Sequence, residues 1–255
     1  MVDYNSLAQD YESTRGKNVP FNLIKRILTI QNIDCTSKVL DLGCGTGRFS
    51  INIQMLTGAK VTGIDNSPKM LEIAEKKYNK VTWLLDDLDN LKFQDSCIDL
   101  ILMSFVVHHL KNLELLLRKL KSFLNYNGSL IIVTSSHEHI INWPKSLCLD
   151  QFSRFIEIDL ARFPDINYLR ELLENIGFKV NIEKFYDETT YKKEEYISMV
   201  KKKYISTFSL MTEEEFEVGF RKFLECINSR FSDTIVVKND FVIIQARKYQ
   251  DINTE

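Results

Sequence analysis

Along the first two-thirds of the chain, short uninterrupted apolar runs alternate with stretches whose apolar positions recur every three or four residues. "KVLDL" (38–42), "AKVTGID" (59–65), "KVTWLL" (80–85), "IDLILMSFV" (98–106) and "GSLIIVTS" (128–135) are runs of the first kind. Continuous apolarity suits strands covered on both faces, as in a parallel sheet. Between them, Ser67 before Pro68 predicts a helix start, with Met70, Leu71 and Ala74 as its apolar face. Leu113, Leu116, Leu117, Leu120 and Phe123 predict a second helix, followed by a turn at "NYNG" (125–128). Ile166, Leu169, Leu172, Leu173 and Ile176 predict a third, with Gly177 as its stop. This alternation implies right-handed crossovers and an α/β fold with an open, doubly wound sheet.

Two regions break the rhythm. Residues 136–164 are mixed and carry Trp143, Phe152, Phe155 and Phe163. Residues 188–231 read as a helical pair. Its first helix aligns Ile197, Val200, Tyr204 and Phe208; its second opens on a capping box, "TEEE" (212–215), and aligns Phe216, Phe220, Phe223 and Ile227. The chain ends on a strand-like run, "FVIIQARK" (241–248). The expected division is a core with an N-terminal helical segment over 1–135, a cap insertion over 136–164, a core helix and strand over 165–187, a helical cap over 188–231, and a last core strand and tail over 232–255. The two irregular regions are read as one cap over the ligand edge of the sheet; the plainer alternative is a satellite core.

Composition narrows the partners. Among 255 residues the formal net charge is -2, which argues against nucleic acid as the main partner. The longest apolar stretch, Ile98 to Val107, is too short to span a bilayer and contains Asp99 and Ser104. The polar N-terminus, "MVDYNSLAQDYEST", is no signal peptide. Five cysteines, none spaced C-x-x-C, suggest reduced thiols in a cytoplasmic protein. The expectation is therefore a cytoplasmic protein with no membrane partner, as a monomer or homodimer.

The chemistry begins at "KVLDLGCGTGRFS" (38–50), a strand followed by Gly43, Gly45 and Gly47. Such a turn lets a ligand approach bare backbone and helix N–H groups. In the dinucleotide fingerprint the third glycine stands three positions after the second, and here Arg48 holds that slot. Asp41, at the end of the strand, would repel a pyrophosphate and attract an ammonium. Asp65 ends the second strand, where an acid accepts ribose hydroxyls, and Asp86 and Asp87 follow the third, where an acceptor could take an adenine amino group. Acids at three consecutive strand ends suit a nucleoside with a cationic tail and no phosphate, the form of S-adenosylmethionine.

With these motifs, "VLDLGCGTG", "VTGIDNSPKMLEIA", "DDLDNLKFQDSCIDLIL", "SFVVHHL" and "LNYNGSLIIV", the chain resembles the class I S-adenosylmethionine-dependent methyltransferases. The likeness is to the small-molecule type that includes the ubiquinone and menaquinone biosynthesis enzymes. It implies a mostly parallel, seven-stranded, Rossmann-like sheet and a cofactor site. Asp41, Gly43 and Gly45 would meet the methionyl end, Asp65 the ribose, Asn66 and Met70 the adenosine, and Asp87 and Leu88 the adenine. Ser104 would lie by the methionyl backbone. Tyr11 and Arg15 would fold over the cofactor, Arg15 toward its carboxylate. The family's "L-P-F" element reads "LKF" (91–93) here, and Cys44 is taken as packing.

Methyl transfer from a sulfonium mainly requires alignment and exclusion of water, with a base only where the acceptor must lose a proton. His109, and after it His108, are the candidate bases, since both follow the fourth strand. "HEH" (137–139) lacks the further ligand a metal would need, and no metal is expected. Arg154, Arg162 and Tyr204 in the cap are candidate substrate-binding residues, the arginines for a substrate carboxylate. The reading is a methyltransferase acting on a small apolar or aromatic metabolite under the cap. The alternatives are an RNA methyltransferase, disfavoured by the charge balance and by "SFVV" after the fourth strand, and a non-catalytic cofactor-binding protein.

Overall fold

The computed structural model describes residues 2–16, 20–88 and 91–249. Helices α1 (Tyr4–Tyr11) and α2 (Phe21–Gln31) precede an alternating core. The core runs β1 (Lys38–Leu42), α3 (Arg48–Thr57), β2 (Lys60–Asp65), α4 (Pro68–Lys77), β3 (Thr82–Leu85), β4 (Ile98–Ser104), α5 (Leu113–Phe123) and β5 (Leu124–Thr134). Then come α6 (His137–Ser146), α7 (Phe155–Arg162), α8 (Ile166–Asn175), β6 (Lys179–Lys192), α9 (Lys193–Lys201), α10 (Glu213–Arg230) and β7 (Thr234–Arg247).

The strands form one seven-stranded sheet in the order β3-β2-β1-β4-β5-β7-β6. The first five are parallel, and β7 runs antiparallel between β5 and β6. Alternate strand residues feed two apolar layers, as the period of two requires. Val39, Val61, Leu100, Leu102, Ile131 and Val133 pack under α2 and α3. Leu40, Ile64, Ile101, Met103, Leu130 and Ile132 share the opposite layer with the inner faces of α5 and α8. Both faces of the sheet are thus covered, which explains the uninterrupted apolar runs. Among the described residues no helix is long and apolar enough to cross a membrane.

Local signals act as their chemistry predicts. The Ser67 hydroxyl accepts the Met70 N–H with Pro68 in the first turn, and Thr212 and Glu215 close a capping box on α10. Gly177 follows α8 with φ +88. Three expectations change. "NYNG" does not separate a helix from a strand: β5 already starts at Leu124, and its pairing slips from Ile98↔Leu124 to Leu100↔Ser129 around the turn. The turn becomes an irregularity inside the strand. The helix expected through Phe208 stops at Lys201, with Lys203 in the left-handed region (φ +53), so Tyr196, Met199 and Val200 form its buried side.

The third change concerns cysteine. Cys148 and Cys226 are bridged, although the spacing suggested reduced thiols throughout; Cys35, Cys44 and Cys97 are free. The pair lies 78 residues apart in sequence, and only the folding of α10 onto the segment after α6 brings it together.

The β6–β7 ladder positions the cap. It pairs from Lys179↔Arg247 to Lys192↔Thr234, whereas β5 pairs with β7 only as far as Thr134↔Val242. The outer half of the ladder therefore overshoots the sheet at the carboxyl end of the parallel strands. β6 runs on to Lys192, past the 187/188 division drawn from the sequence. Ile235 and Val237 from the overshoot pack with Leu147, Phe152, Phe155, Phe208, Phe216 and Phe223 in a separate apolar cluster. The aromatic stripes are mainly the core of the cap.

Candidate active site

The parallel strands end on the side that the cap overhangs. At the end of β1 the chain turns back sharply: the Gly43 and Cys44 N–H groups both donate to the Ile64 carbonyl at the end of β2, at 2.8 and 3.0 Å. The next N–H, that of Gly45, donates to Asp65 Oδ2 at 2.8 Å, while Asp65 Oδ1 accepts the Ser67 N–H at 2.9 Å. Asp65 thus ties the glycine turn to the start of α4.

Two glycines are bare for different reasons. A Cβ on Gly47 (φ +80) would stand 2.4 Å from the Trp83 ring, so packing forbids it. A Cβ on Gly45 (φ +54) would meet nothing within 4 Å, so it would project into open space that the backbone leaves for something else.

Asp41 is buried, and its Oδ2 accepts both the backbone N–H and the hydroxyl of Ser50. Burial pushes its carboxyl up to about 7 against the pull of the Ser50 hydrogen bonds, with the Asp65 charge adding to the rise. Burial also raises Asp65. Cys44 is buried with its Sγ against Gly63, consistent with packing. Burial also holds its thiol well above the usual range.

These groups open on a cavity of about 880 Å³ between the strand ends and the cap. Asp41, Gly43, Gly45, Asp65, Asn66 and Met70 line it, with Tyr11, Asp87, Leu88 and Ser104. The backbone of Arg15 lies in the turn that follows α1, and its side chain is outside the described residues. The hydroxyls of Ser104 and Thr46 are buried on the cavity wall with no hydrogen-bond partner among the described residues. Unmet polar groups of this kind, beside an acid and an open backbone cradle, fit a polar ligand with donors and acceptors of its own.

The N-terminal segment closes one side. Asn5 Oδ1 accepts from the Ser67 hydroxyl at 2.8 Å, and Lys77 Nζ reaches both Glu12 and the Thr46 carbonyl. Tyr4 places its hydroxyl 2.8 Å from His109 Nε2, with the rings edge to face at 5.3 Å. His109 ends a short turn after β4; burial, then the positive charge of Arg162, lowers it to about 4. His108 stacks on Phe163 at 3.9 Å between centroids. Just before this turn, Phe105 adopts a left-handed backbone (φ +55) and packs edge-on against Phe241. An aromatic residue held in that region stores strain, of order 1–3 kcal/mol, as happens at functional sites.

The cap candidates separate. Arg162 and Tyr204 line the cavity together with His108 and His109. Arg154 does not: it is half-exposed and faces Glu157 and Glu215 in surface ion pairs. It precedes the first residue of α7, whereas Arg162 ends that helix, so the two stand at its opposite ends. In the "HEH" segment, His137 Nε2 lies 2.8 Å from the Phe163 carbonyl and His139 faces Trp143. Among the described residues no group of three metal-ligating side chains converges. Sequence reasoning missed Tyr4 and the Asp159–Arg162 pair. Only the second left a signal, an acid and a base three residues apart on a helix.

Comparison with known proteins agrees with this architecture. The methyltransferase domain family matches residues 39–128. Demethylmenaquinone methyltransferase of Tropheryma whipplei is 30% identical over 186 residues, covering 68% of this chain and 74% of that protein. Malonyl-[acyl-carrier protein] O-methyltransferase of Legionella pneumophila is 31% identical over 137 residues, or 51% of this chain and 48% of the relative. Among solved structures, a Haemonchus contortus phosphoethanolamine N-methyltransferase 2 in complex with S-adenosyl-L-methionine superposes with a TM-score of 0.62 at 16% identity, covering 98% of this chain and 61% of that one. At that identity the likeness is one of fold.

Proposed function

This chain belongs to the class I S-adenosylmethionine-dependent methyltransferases, of small-molecule type, and we propose that it holds the cofactor along the strand ends and the methyl acceptor under the helical cap. One observation carries the reading: ten residues picked out from separate stretches of sequence line a single cavity that continues beneath the cap.

In this reading Gly45 leaves room for the methionyl end, and Ser104 and Thr46 supply unmet hydroxyls beside it. Asp41 supplies negative charge: a bound ammonium or sulfonium would draw it to its ionised form. Asp65 keeps lone pairs for ribose hydroxyls while accepting the Gly45 and Ser67 N–H groups, and Asp87 and Leu88 flank the base. When bound, S-adenosylmethionine supplies an electrophilic methyl group on a sulfonium with a neutral thioether to leave. The chain then has to align an acceptor and exclude water, a task that falls to the cap and the N-terminal segment beside it. Where the acceptor must lose a proton, the neutral His109, hydrogen-bonded to Tyr4, is the base nearest to hand. A cytoplasmic setting belongs to the same reading.

Calorimetric titration with S-adenosylmethionine and S-adenosylhomocysteine tests it. Both should bind the wild type, and Asp65→Ala should weaken each by about 10- to 100-fold, the worth of hydrogen bonds to a charged group. Absence of binding to the wild type at millimolar ligand would end the proposal.

A further inference from the structure

Arg162 stands at the end of α7 with its side chain only 15% exposed. Its Nη2 donates to Asp159 Oδ1 at 2.9 Å and lies 3.4 Å from the Ser206 hydroxyl. Asp159 is itself buried, and the same Oδ1 also accepts from the Thr207 hydroxyl at 2.7 Å. The guanidinium is therefore braced at one nitrogen. Its other two nitrogens, Nε and Nη1, are buried and meet no acceptor among the described residues. Buried donors without acceptors carry a desolvation cost, and a charged donor carries more. The Nε N–H and the Nη1 N–H groups point to different sides of the guanidinium, and an anion that accepts from either one recovers part of this cost.

The surroundings favour a ligand with an apolar body. Phe163 lies beside the guanidinium, 5.8 Å from ring centroid to Cζ, and carries the stacked His108 on its face. Trp143, Phe155 and Tyr204 line the same cavity. His109 lies close enough to feel the Arg162 charge, so the cation stands near the candidate base. Beyond the strand-end acids, the cavity is lined by Asp159, already engaged, and by Asp187 and Glu188 on the overshooting part of β6, of which Glu188 is exposed. Arg154, the other cap arginine, has spent its charge on Glu157 and Glu215 outside.

We propose that Arg162 anchors an anionic group, a carboxylate or a phosphate, on the methyl acceptor, so that the substrate class is a small organic anion with an apolar or aromatic body. The inference rests on the methyltransferase reading and narrows it. Arg162 is a binding residue here; the identity of the methylated atom is a separate matter.

Four probes with one ring test it: benzoate, phenyl phosphate, benzamide and benzylamine, titrated by ligand-observed NMR into the protein with and without S-adenosylhomocysteine. At least one anion should bind about tenfold or more tightly than benzamide, and whether it is benzoate or phenyl phosphate separates the two head groups. Arg162→Gln should bring the anions to parity with benzamide. Arg162→Lys, which keeps the charge and loses the separate Nε and Nη1 donors, should weaken benzoate severalfold while S-adenosylhomocysteine affinity stays within about twofold. The wild-type ranking needs no variant and stands if Arg162→Gln does not fold. Equal binding of all four probes, preference for benzylamine, or an anion preference that survives both substitutions overturns the inference. If anions are preferred but S-adenosylhomocysteine does not bind, the anion site stands and the methyltransferase reading falls. If S-adenosylhomocysteine binds and no anion is preferred, only the anion site falls.

Discussion

His109 shows how one residue's chemistry is set by what surrounds it. Its imidazole is buried and shares the cavity with the Arg162 cation, and both effects disfavour a second positive charge. A ring that stays neutral down to about 4 is available as an acceptor throughout the working range. Imidazole NMR should show His109 with no titration between about pH 8 and pH 5, and a midpoint near the ordinary value of about 6.5 would overturn this environment. That Asp41, Asp65 and Asp87 share one cavity was legible in the sequence, because acids at the carboxyl ends of parallel strands fall along one edge of the sheet. The Tyr4–His109 contact was not, because 105 residues separate its partners and no periodicity links them. Arg154 and Arg162 looked alike as isolated cations. They stand at opposite ends of α7 in different surroundings, and no pattern in the chain marks which faces inward.

At the scale of elements, the parallel core was readable and the cap only partly so. Each core helix has one apolar stripe and the central strands β1, β4 and β5 are apolar on both faces, so there local pattern and final burial coincide, whereas the edge strand β3 leaves Leu84 and Leu85 exposed. In the cap, aromatic stripes on α10 and on the segments around α7 were visible, but their mutual packing was not. Phe152 touches Phe208, Phe216 and Phe223, which come from two later stretches of chain, α10 and the turn after α9. The Cys148–Cys226 bridge ties the same two cap segments. Closing a loop of 78 residues restricts the unfolded chain, and such a bridge contributes about 2–4 kcal/mol. Adding dithiothreitol, or the double change Cys148→Ser and Cys226→Ser, should lower the Tm and increase amide exchange in α10 before the parallel core responds. Equal loss of protection in core and cap would show that the bridge is not local to the cap.

For the whole molecule, two buried groups pull stability in opposite directions with pH. Asp41 has a folded value of about 7 against an ordinary 3.8, so the native state keeps a proton that the unfolded chain has lost. Its contribution is therefore greatest at low pH and disappears as pH rises from about 4 to 7. His109, at about 4 against 6.5, works the other way: below 6.5 the unfolded chain takes up a proton that the native state refuses, and stability is lost as pH falls to about 4. The two effects oppose each other over most of that window. A ligand ammonium held beside Asp41, as proposed, would break the balance, because it would favour ionised Asp41 and release its proton. The rise in Tm produced by saturating S-adenosylhomocysteine should thus be larger at about pH 8 than at about pH 6, with proton release visible in buffers of different ionisation enthalpy. A shift of the same size at both values would place Asp41 away from the bound ammonium.

Periodicity and strand-end chemistry by themselves determined the layered sheet, its helices and the row of acids along one edge, because those features depend on neighbours within a few residues. Only the tertiary structure decided which cap residues face the cavity. It bridged two of the cysteines, it turned one arginine inward and the other out, and it brought the N-terminal tyrosine onto the histidine after β4. Each of these depends on how distant segments pack, and packing selects among surfaces that look equivalent along the chain.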